Sequence, residues 1–352
     1  MKSRSFLWSL AAVVLAPVGA LASNGVTEIN QTCAVETGCL AGDSAGFPVS
    51  ITSAGSYVLT SDLSVPNANT TAIEFSSNQI SLDMNGFAIR GVTSCSGSPV
   101  TSCAPTGSGL GISGFSGRSS VHDGRVIGMG GNGVSLGTEA HVENVHAESN
   151  GGYGIGTGGN SVVTRSSSIR NLDAGFKINS GVARSNTAKE NGDDGIRVLG
   201  WASVVESNRS GTNDGDGIEC DGACNIHDNT SWQNSGHGIL CGSSSINGFV
   251  IARNAATNNG QDGINCAVPN NSIIHNTAVG NQGDGIESYH SLYLGNNASS
   301  NTGAGLRVIQ TAEAFNDAYG QNFFRGNTEG DVVGGAFAVD CNRIGTSTVC
   351  PP

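Results

Sequence analysis

Hydrophobic residues recur along the middle of the chain in a frame of constant form, Asn-x-x-x-Gly-apolar. The apolar position is filled in eight successive copies by Ile155, Phe176, Ile196, Ile218, Ile239, Ile264, Ile286 and Leu306. Successive copies are separated by 20 to 25 residues. A repeat of this length is typical of an architecture built by stacking one small unit many times.

Each copy contains three short segments in which small or apolar residues alternate with polar ones, as in half-buried β-strands. Gly and Asn occupy the positions between them, where turns need a positive φ or a side chain that bonds its own backbone. No segment has the helical periodicity that a crossover helix would show. The pattern therefore predicts an all-β solenoid, a parallel β-helix with coils of ~21 residues stacked about 4.8 Å apart.

Stacking places equivalent residues of successive coils in columns. The first strand of a coil is expected to point its first and third residues inward, as at Ile196 and Val198. A second Asn stands five residues before each frame Asn, in the column Asn186, Asn208, Asn229, Asn254, Asn276 and Asn296. Stacked amides can hydrogen-bond from coil to coil. The small residues Ala188, Ser210, Ser231, Ala256, Ala278 and Ala298 are expected to close a narrow core.

These repeats resemble those of right-handed parallel β-helix proteins, the pectin-lyase-like superfamily. The resemblance covers residues 130–308 and is weaker over 45–130. It implies a right-handed coil, in agreement with the general preference for right-handed crossovers. Calcium-binding nonapeptide repeats and left-handed hexapeptide helices are excluded, because their periods are much shorter.

The first 22 residues have the features of a secretory signal peptide. Lys2 and Arg4 precede an apolar run, and Ala20 and Ala22 form a small-residue cleavage site. The run is too short for a membrane span, and no later stretch is long enough for one. We therefore expect export to the periplasm or the extracellular space.

The rest of the chain, 23–352, is expected to form a single β-helix domain. An N-terminal cap and the first coils are expected up to 128 (the coils from 45), and regular coils over 129–308. The C-terminal cap at 309–352 is expected to begin where the repeat stops after Val308, with a short helical plug within Thr311–Phe324.

Ten cysteines in an exported chain predict disulfides. The three local pairs outside the repeats are Cys33–Cys39, Cys95–Cys103 and Cys341–Cys350. For the four repeat cysteines the preferred pairing is Cys220–Cys224 and Cys241–Cys266. Three of these four occupy one inward column, where neighbouring Cα atoms lie within disulfide range. That apolar column disfavours a zinc site.

The residue before each frame Gly forms the candidate site column, Asp194, Asp216, His237, Asp262 and Asp284. On the expected register it faces outward from five consecutive coils. Carboxylates about 5 Å apart raise one another's pKa, so the column should need protons, a cation or a partner. The alternative is that Asp recurs there only because it is a good turn residue before Gly.

One interpretation of this column is glycoside hydrolysis. Asp194, Asp216 and the Gly-His-Gly around His237 resemble the acidic positions and the Gly-His-Gly of the polygalacturonase family. Inverting glycosidases hold their acid and base carboxyls ~6.5–9.5 Å apart, which carboxyls on alternate coils could satisfy. The Asn-Thr-Asp and Arg-Ile-Lys motifs of that family are absent.

A second interpretation is calcium binding. Resemblance to β-helix pectate and alginate lyases implies an acidic cluster whose Ca²⁺ bridges an acidic sugar, with an Arg or Lys as base. The candidate calcium ligands are Asp193, Asp214, Glu219 and Glu287. The candidate substrate-binding residues are Arg197, Arg307, Trp201 and Tyr289, of which the aromatic side chains could stack on sugar rings.

The net charge of −12 argues against nucleic acid and anionic membranes as partners. The sequence thus predicts a secreted protein that binds or modifies an extracellular polysaccharide or cell-surface glycan along an acidic face, with Ca²⁺ as a candidate cofactor. The alternatives are a non-catalytic surface or matrix protein and, as an enzyme, a polygalacturonase-like hydrolase or a Ca-dependent lyase or epimerase. No oligomeric state is predicted.

Overall fold

The computed structural model describes residues 25–242, 248–309 and 317–351. The expected signal peptide at 1–22 lies outside these residues. The chain coils as a right-handed parallel β-helix, which confirms the predicted fold. Within the described residues, no helix has the length and hydrophobicity that a membrane crossing requires.

The first strands of the coils form a parallel sheet of 13 strands, here called the front sheet. Its strands are Val49–Ile51, Ile73–Phe75, Ile112–Gly114, Val134–Leu136, Ile155–Thr157, Phe176–Ile178, Ile196–Val198, Ile218–Cys220, Ile239–Cys241, Ile264–Cys266, Ile286–Ser288, Ala304–Val308 and Gly330–Val333. The register pairs Ile196 with Ile218 and Ile218 with Ile239, so each frame residue stacks on its equivalent in the next coil. The front sheet carries the candidate site.

The second and third strands of the coils form a sheet of 26 strands, here called the back sheet. One row comprises Val26–Ile29, Gly55–Leu59, Ile80–Asp83, Ser120–Ile127, His141–Glu148, Ser161–Thr164, Gly181–Arg184, Ser203–Glu206, Cys224–His227, Val250–Ala252, Ser272–Ile274, Leu292–Leu294, Ala318–Gly320 and Phe337–Ala338. The other comprises Leu63–Ser64, Ala88–Arg90, Ser167–Ile169, Thr187–Lys189, Arg209–Gly211, Thr230–Trp232, Ala255–Thr257, Thr277–Val279, Asn297–Ser299, Phe323–Arg325, Asn342–Ile344 and Ser347–Val349. Ser120–Ile127 and His141–Glu148 run through both rows and join them into one sheet.

Two ladders of buried asparagines run along the turns. The column Asn186, Asn208, Asn229, Asn254, Asn276 and Asn296 stacks as predicted, each amide bonding the next. The frame asparagines form a second ladder, Asn150, Asn171, Asn191, Asn213, Asn234, Asn259, Asn281, Asn301 and Asn327. The predicted small column lies between them, and all six of its side chains are fully buried.

The frame glycine is required by close approach between coils. A Cβ placed on Gly217 would lie 1.8 Å from Ser231 Oγ and 2.6 Å from Asn234 Nδ2. Both partners belong to the next coil and to the buried columns just described. The glycine therefore lets the front sheet approach the asparagine ladder.

The helix predicted within Thr311–Phe324 is wrong in the part that the structure describes. Residues 310–316 lie outside the described residues, but Ala318–Gly320 and Phe323–Arg325 are strands that continue the back sheet, not a helix. The repeat therefore continues beyond Val308. The reason is that Asn322 and Asn327 extend both ladders at the five-residue spacing of earlier coils, accepting bonds from Asn296 and Asn301.

The ends and one insertion depart from regular coils. A helical turn at Cys33–Thr37 covers the N-terminal end. An antiparallel hairpin, Ser94–Gly97 and Val100–Ala104, is inserted between two coils. Five disulfides join Cys33–Cys39, Cys95–Cys103, Cys220–Cys224, Cys241–Cys266 and Cys341–Cys350, the same pairs that the sequence favours.

Candidate functional site

The candidate column lies in register along one edge of the front sheet. Each member accepts a hydrogen bond from the backbone N–H of the residue one coil further on. Asp194 Oδ1 accepts from Asp216 N at 2.8 Å, and Asp216 Oδ1 accepts from His237 N at 2.6 Å. Asp262 Oδ1 accepts from Asp284 N at 2.6 Å. The column is therefore a third ladder, in which side chains bond backbone.

These side chains are not the freely exposed groups that the sequence analysis expected. Asp194, Asp262 and Asp284 are only 4%, 8% and 5% exposed. The reason is that the turn before the frame glycine lays each carboxylate over the next coil's N–H group. One oxygen of each carboxylate is thus used for a hydrogen bond between coils, and only the other oxygen is available for proton transfer or ligand binding.

A second column runs beside the first, on the outward position of the same strands. It contains Arg197, Glu219, Leu240, Asn265, Glu287 and Arg307, paired in this order by strand register. We call the two columns together the charge array. Asp194 lies beside Arg197 of its own coil and Glu219 of the next. Asp284 lies beside Glu287 of its own coil and Arg307 of the next, so the two arginines stand at the ends of the array.

At the N-terminal end of the array, Arg197 lies among carboxylates. Its Nε is 2.9 Å from Glu219 Oε2, although the N–H does not point at that oxygen, and its Nη atoms are 3.9 Å from both Asp194 and Asp221. Burial and the hydrogen bond and charge of Asp194 raise the pKa of Glu219 to about 8. Glu219 therefore holds a proton at neutral pH.

Two further carboxyls of this end have raised pKa values. Burial, followed by the charges of Asp194 and Asp173, raises the pKa of Asp193 to about 6. Burial also raises the pKa of Asp216. Burial and the neighbouring carboxylates thus favour the protonated forms of Asp193 and Asp216.

His237 occupies the centre of the array. Its Nδ1 accepts the backbone N–H of Asp262 at 3.2 Å and also lies 3.3 Å from Asp262 Oδ2. Burial lowers the pKa of His237, but the hydrogen bond to Asp262 and the charges of Asp216, Asp262 and Glu287 outweigh burial, and the pKa is raised. Because Nδ1 cannot accept and donate at once, protonation exchanges the backbone bond for a bond to the Asp262 carboxylate.

At the C-terminal end, Arg307 binds Asp284 through two nitrogens. Nε lies 2.5 Å from Oδ2 and Nη2 lies 3.1 Å from Oδ1. Nη2 also donates to Glu329. Burial and the charge of Asp262 raise the pKa of Glu287 to about 7. Glu287 is thus half-protonated near neutral pH.

The residues fit a calcium ion poorly. Carboxylate oxygens of Asp262, Asp284 and Glu287 lie within 4.8 Å of one another. Calcium needs six to eight oxygens, whereas Asp284 is already bonded by Arg307 and the Ala304 N–H, and Asp262 by Asn265 and the Asp284 N–H.

The other expected calcium ligands lie outside the compact carboxylate group of the array. Among the described residues, Asp193, Asp214 and Glu219 belong to no cluster compact enough to share an ion. A second compact group consists of Asp83, His122 and Asp123 on the back sheet. Calcium binding therefore stays a prediction.

The expected sugar-binding residues occupy the borders of the array. Trp201 is 66% exposed in the turn after Ile196–Val198. Tyr289 lies in the equivalent turn after Ile286–Ser288, with its ring 5.2 Å from that of His290. The sequence analysis missed Lys177, which stacks on Arg197 in the second column with its ammonium 5.8 Å from the Tyr153 ring centroid. Its position after the frame residue Phe176 could have identified it.

The inserted hairpin forms a wall beside the N-terminal end of the array. Val100 donates its N–H to Glu190 O at 3.1 Å, and Arg170 donates to Gly97 O at 3.0 Å. Val100 also lies against Gly192, next to Asp193. The sequence analysis predicted only its Cys95–Cys103 disulfide.

The array has the chemistry of an acid–base surface. Carboxyls whose pKa lies near the working pH can both donate and accept protons. Glu219 and Glu287 have this property, and His237, whose pKa is raised, lies between them. Perturbed groups of this kind concentrate at functional sites, although structural ion pairs perturb pKa values as well.

Comparison with known proteins supports the fold. Residues 108–250 match the family described as "Right handed beta helix region". A double mutant of the periplasmic alginate epimerase AlgG has a TM-score of 0.55 at 14% identity, over 79% of this chain and 78% of that one. The A-module of the Azotobacter vinelandii mannuronan C-5 epimerase AlgE4 has a TM-score of 0.51 at 13% identity, over 83% and 87%. No match was found among curated protein sequences.

Proposed function

We propose that this right-handed parallel β-helix binds an extracellular polysaccharide along the charge array and modifies it by acid–base chemistry. The observation that carries the proposal is that Glu219 and Glu287, with pKa values of about 8 and about 7, flank His237 on one face of the front sheet. Such groups exchange protons at neutral pH, which a purely structural surface does not need.

The dimensions of the face favour a polymer over a small molecule. The array extends over the six strands from Ile196–Val198 to Ala304–Val308, which at about 4.8 Å per step is about 24 Å. The exposed indole of Trp201 at its border offers a surface on which a sugar ring can stack. An extended chain of several sugars would contact both columns at once.

The roles of the residues follow from their protonation. Glu219 is protonated at neutral pH and would donate a proton to a leaving oxygen or an intermediate. His237, on the coil after Glu219, would accept a proton from water or from the sugar. Hydrolysis and epimerisation both need such a pair. The printed names of AlgG and AlgE4 describe epimerases of alginate and mannuronan, which are polysaccharides, and this supports the substrate class.

Export to an oxidising compartment is part of the proposal. Five disulfides over 33–350 suit the periplasm or the extracellular space, since cytosolic proteins rarely keep them. The signal-like residues 1–22 support the same location. A polysaccharide outside the cell would be accessible there.

The test is a panel of neutral, uronate and amino polysaccharides, each with and without Ca²⁺. New reducing ends would identify hydrolysis, absorbance near 235 nm an unsaturated lyase product, and proton NMR a change of configuration. The double variant Glu219→Gln with Glu287→Gln should lose at least ~100-fold in rate, the usual contribution of general acid–base groups. Glu74→Gln, on the same face far from the array, is the matched control. An unchanged rate in the double variant would refute the catalytic role.

The second candidate is a non-catalytic structural or adhesive rod. It is favoured by the backbone N–H bonds that Asp194, Asp216, Asp262 and Asp284 accept, since these stabilise the stack of coils. In that case no polysaccharide would be bound or changed, and Asp216→Asn would alter stability alone.

A further inference from the structure

A histidine and two aspartates on the back sheet, away from the charge array, have the donor set of a metal site. We propose that Asp83, His122 and Asp123 bind a divalent transition-metal ion, best matched by Zn²⁺, through one oxygen of each carboxylate and Nδ1 of the imidazole. The inference is independent of the proposed function, because the front sheet takes no part in it. It also differs from the calcium that the sequence analysis expected, since one donor is a nitrogen.

The three donors converge from two successive coils. His122 lies opposite Asp83 in the register of the back sheet, and Asp123 follows at the turn between the two rows of strands. His122 Nδ1 lies 3.6 Å from Asp83 Oδ1 and 2.9 Å from Asp123 Oδ2, and a donor atom of each residue lies within 4.8 Å of the other two. In a tetrahedral site with bonds of ~2.0–2.1 Å, the ligand atoms are ~3.3–3.4 Å apart. Only a small movement would therefore enclose an ion.

Neighbouring groups orient both carboxylates. Asn144 Nδ2 donates to Asp123 Oδ1 at 2.6 Å, which leaves Oδ2 facing the imidazole. The backbone N–H of Asn85 donates to Asp83 Oδ1 at 2.7 Å, and a carboxylate oxygen has a further lone pair for an ion. Hydrogen bonds of this kind hold the ligands of metal sites in place. The three side chains are partly exposed, so an ion can enter from solvent.

The donor types select the ion. Imidazole nitrogen suits zinc and its neighbours among the transition metals, whereas calcium and magnesium prefer oxygen alone. Three protein ligands leave a fourth position of a zinc site to water. All ten cysteines are paired in disulfides, so no thiolate competes for the ion.

The group also lacks a bonded cation from the protein. Across the residues that the structure describes, no lysine or arginine forms an ion pair with Asp83 or Asp123. The charge of Arg165 acts on Asp123, but its guanidinium bonds Glu143. Two carboxylates beside one imidazole leave an excess of negative charge, which a divalent ion would neutralise.

A second coil contains the same pair, and there the fold provides the cation. His227 Nδ1 lies 2.8 Å from Asp228 Oδ2, at the same turn of the back sheet. Arg253 of the next coil binds Asp228 through two nitrogens, each at 2.8 Å. The residue equivalent to Arg253 beside Asp123 is the uncharged Asn144. This turn can thus hold a cation on a His–Asp pair, which is a bonded arginine at Asp228 and an ion from solvent at Asp123.

The carboxylate of the preceding coil differs as well. Glu206 approaches Nε2 of His227 at 3.4 Å, whereas Asp83 approaches Nδ1 of His122. At His227 the two carboxylates therefore lie at different nitrogens of the ring, and in the described part of the chain this trio forms no compact group. His227 is for this reason the matched control for His122.

The experiment measures metal binding directly. The disulfide-bonded protein, free of any histidine tag, is stripped with a chelator and titrated calorimetrically with Zn²⁺, and Co²⁺ is added to a parallel sample as a coloured probe. We expect one Zn²⁺ to bind at this site and Co²⁺ to give the intense visible absorption of a four-coordinate ion. Since the ion joins two coils, Zn²⁺ at ~100 times its Kd should raise the midpoint of thermal unfolding by about 4 °C.

Variants assign the binding to these residues. Asn144→Ala should weaken Zn²⁺ binding ~10-fold and His122→Gln ~100-fold or more, with loss of the Co²⁺ absorption and of the thermal shift. His227→Gln should keep all three. Asp83→Asn retains an oxygen for the Asn85 N–H and should also weaken binding, which keeps the test decisive if His122→Gln does not fold. Absence of binding in the parent, or equal losses in His122→Gln and His227→Gln, would overturn the site and leave a hydrogen-bonded His–Asp pair.

Discussion

The side-chain amide of the frame asparagine Asn213 is completely bonded. Asn213 Oδ1 accepts from the backbone N–H and the Nδ2 of Asn191, and Asn213 Nδ2 donates to Ser210 Oγ and Asn234 Oδ1. An amide has two donor hydrogens and an oxygen with two lone pairs. All four are used inside the fold, so the residue specifies both its own turn and the register of its neighbours.

Replacing Asn213 by Ala should therefore destabilise the protein by about 3 kcal/mol. The substitution leaves the buried backbone N–H of Asn191 without its acceptor, at ~1–3 kcal/mol, and removes one hydrogen bond each from Asn191 Nδ2 and Asn234 Oδ1. Urea unfolding measures the change. Asn225→Ala, exposed on a neighbouring strand, should cost less than ~0.5 kcal/mol. Equal losses in the two variants would contradict the ladder's role.

Glu219 should make stability depend on pH. Its pKa is about 8 in the folded state against an ordinary 4.5, so between these values the folded state binds the proton more tightly than the unfolded state. The stabilisation is complete below about pH 4.5 and is lost as the pH rises to about 8. Glu219→Gln lacks this titration and should gain stability relative to the parent over that range.

Urea unfolding at about pH 5 and about pH 8 tests this expectation. The free energy of unfolding of the parent should fall more between the two pH values than that of Glu219→Gln. Glu74→Gln should follow the parent at both, because Glu74 is far from the array. Parallel behaviour of Glu219→Gln and the parent would show that the carboxyl titrates normally.

At the scale of the coil, the disulfides differ in the length of the chain segment that each one closes into a loop. Cys241–Cys266 joins first strands of adjacent coils and spans 25 residues, whereas Cys33–Cys39 spans 6 within the N-terminal cap. Closing a longer loop removes more entropy from the unfolded chain. The two bridges thus act on the stack of coils and on its cap respectively.

Replacing Cys241 and Cys266 by Ser should lower the free energy of unfolding by about 3.5 kcal/mol, and replacing Cys33 and Cys39 by about 2 kcal/mol. Denaturant unfolding of both double variants under non-reducing conditions gives the comparison. The reverse order would mean that local packing, and not loop closure, sets the contribution of each bridge.

At the scale of the molecule, the repeat length made most of the architecture predictable. In a stack of coils, residues one period apart are neighbours, so the period alone placed Asp194, Asp216 and His237 in one column. It did not reveal that Asp194 Oδ1 would accept the Asp216 N–H, or that Arg307 would bind Asp284. Those contacts depend on side-chain torsions within a turn, which no repeat length encodes.

Two features of the structure were not predicted, because the repeat length or the frame changes where they lie. Asp83 and His122 pair in register on the back sheet although 39 positions separate them, because the hairpin Ser94–Ala104 lengthens that coil. The compact group of Asp83, His122 and Asp123 was therefore not predicted. At the other end, Asn322 and Asn327 were overlooked because the frame Gly-apolar pair does not follow them.

The ladders bond each coil only to the coils directly before and after it. A pulling force applied at one terminus would therefore act on one boundary between coils at a time. The coils would unfold one after another instead of all at once. Each peeled coil of ~21 residues would lengthen the molecule by about 7 nm, at ~3.4 Å per extended residue. The residues between Cys241 and Cys266 would not add to this lengthening until their disulfide was reduced.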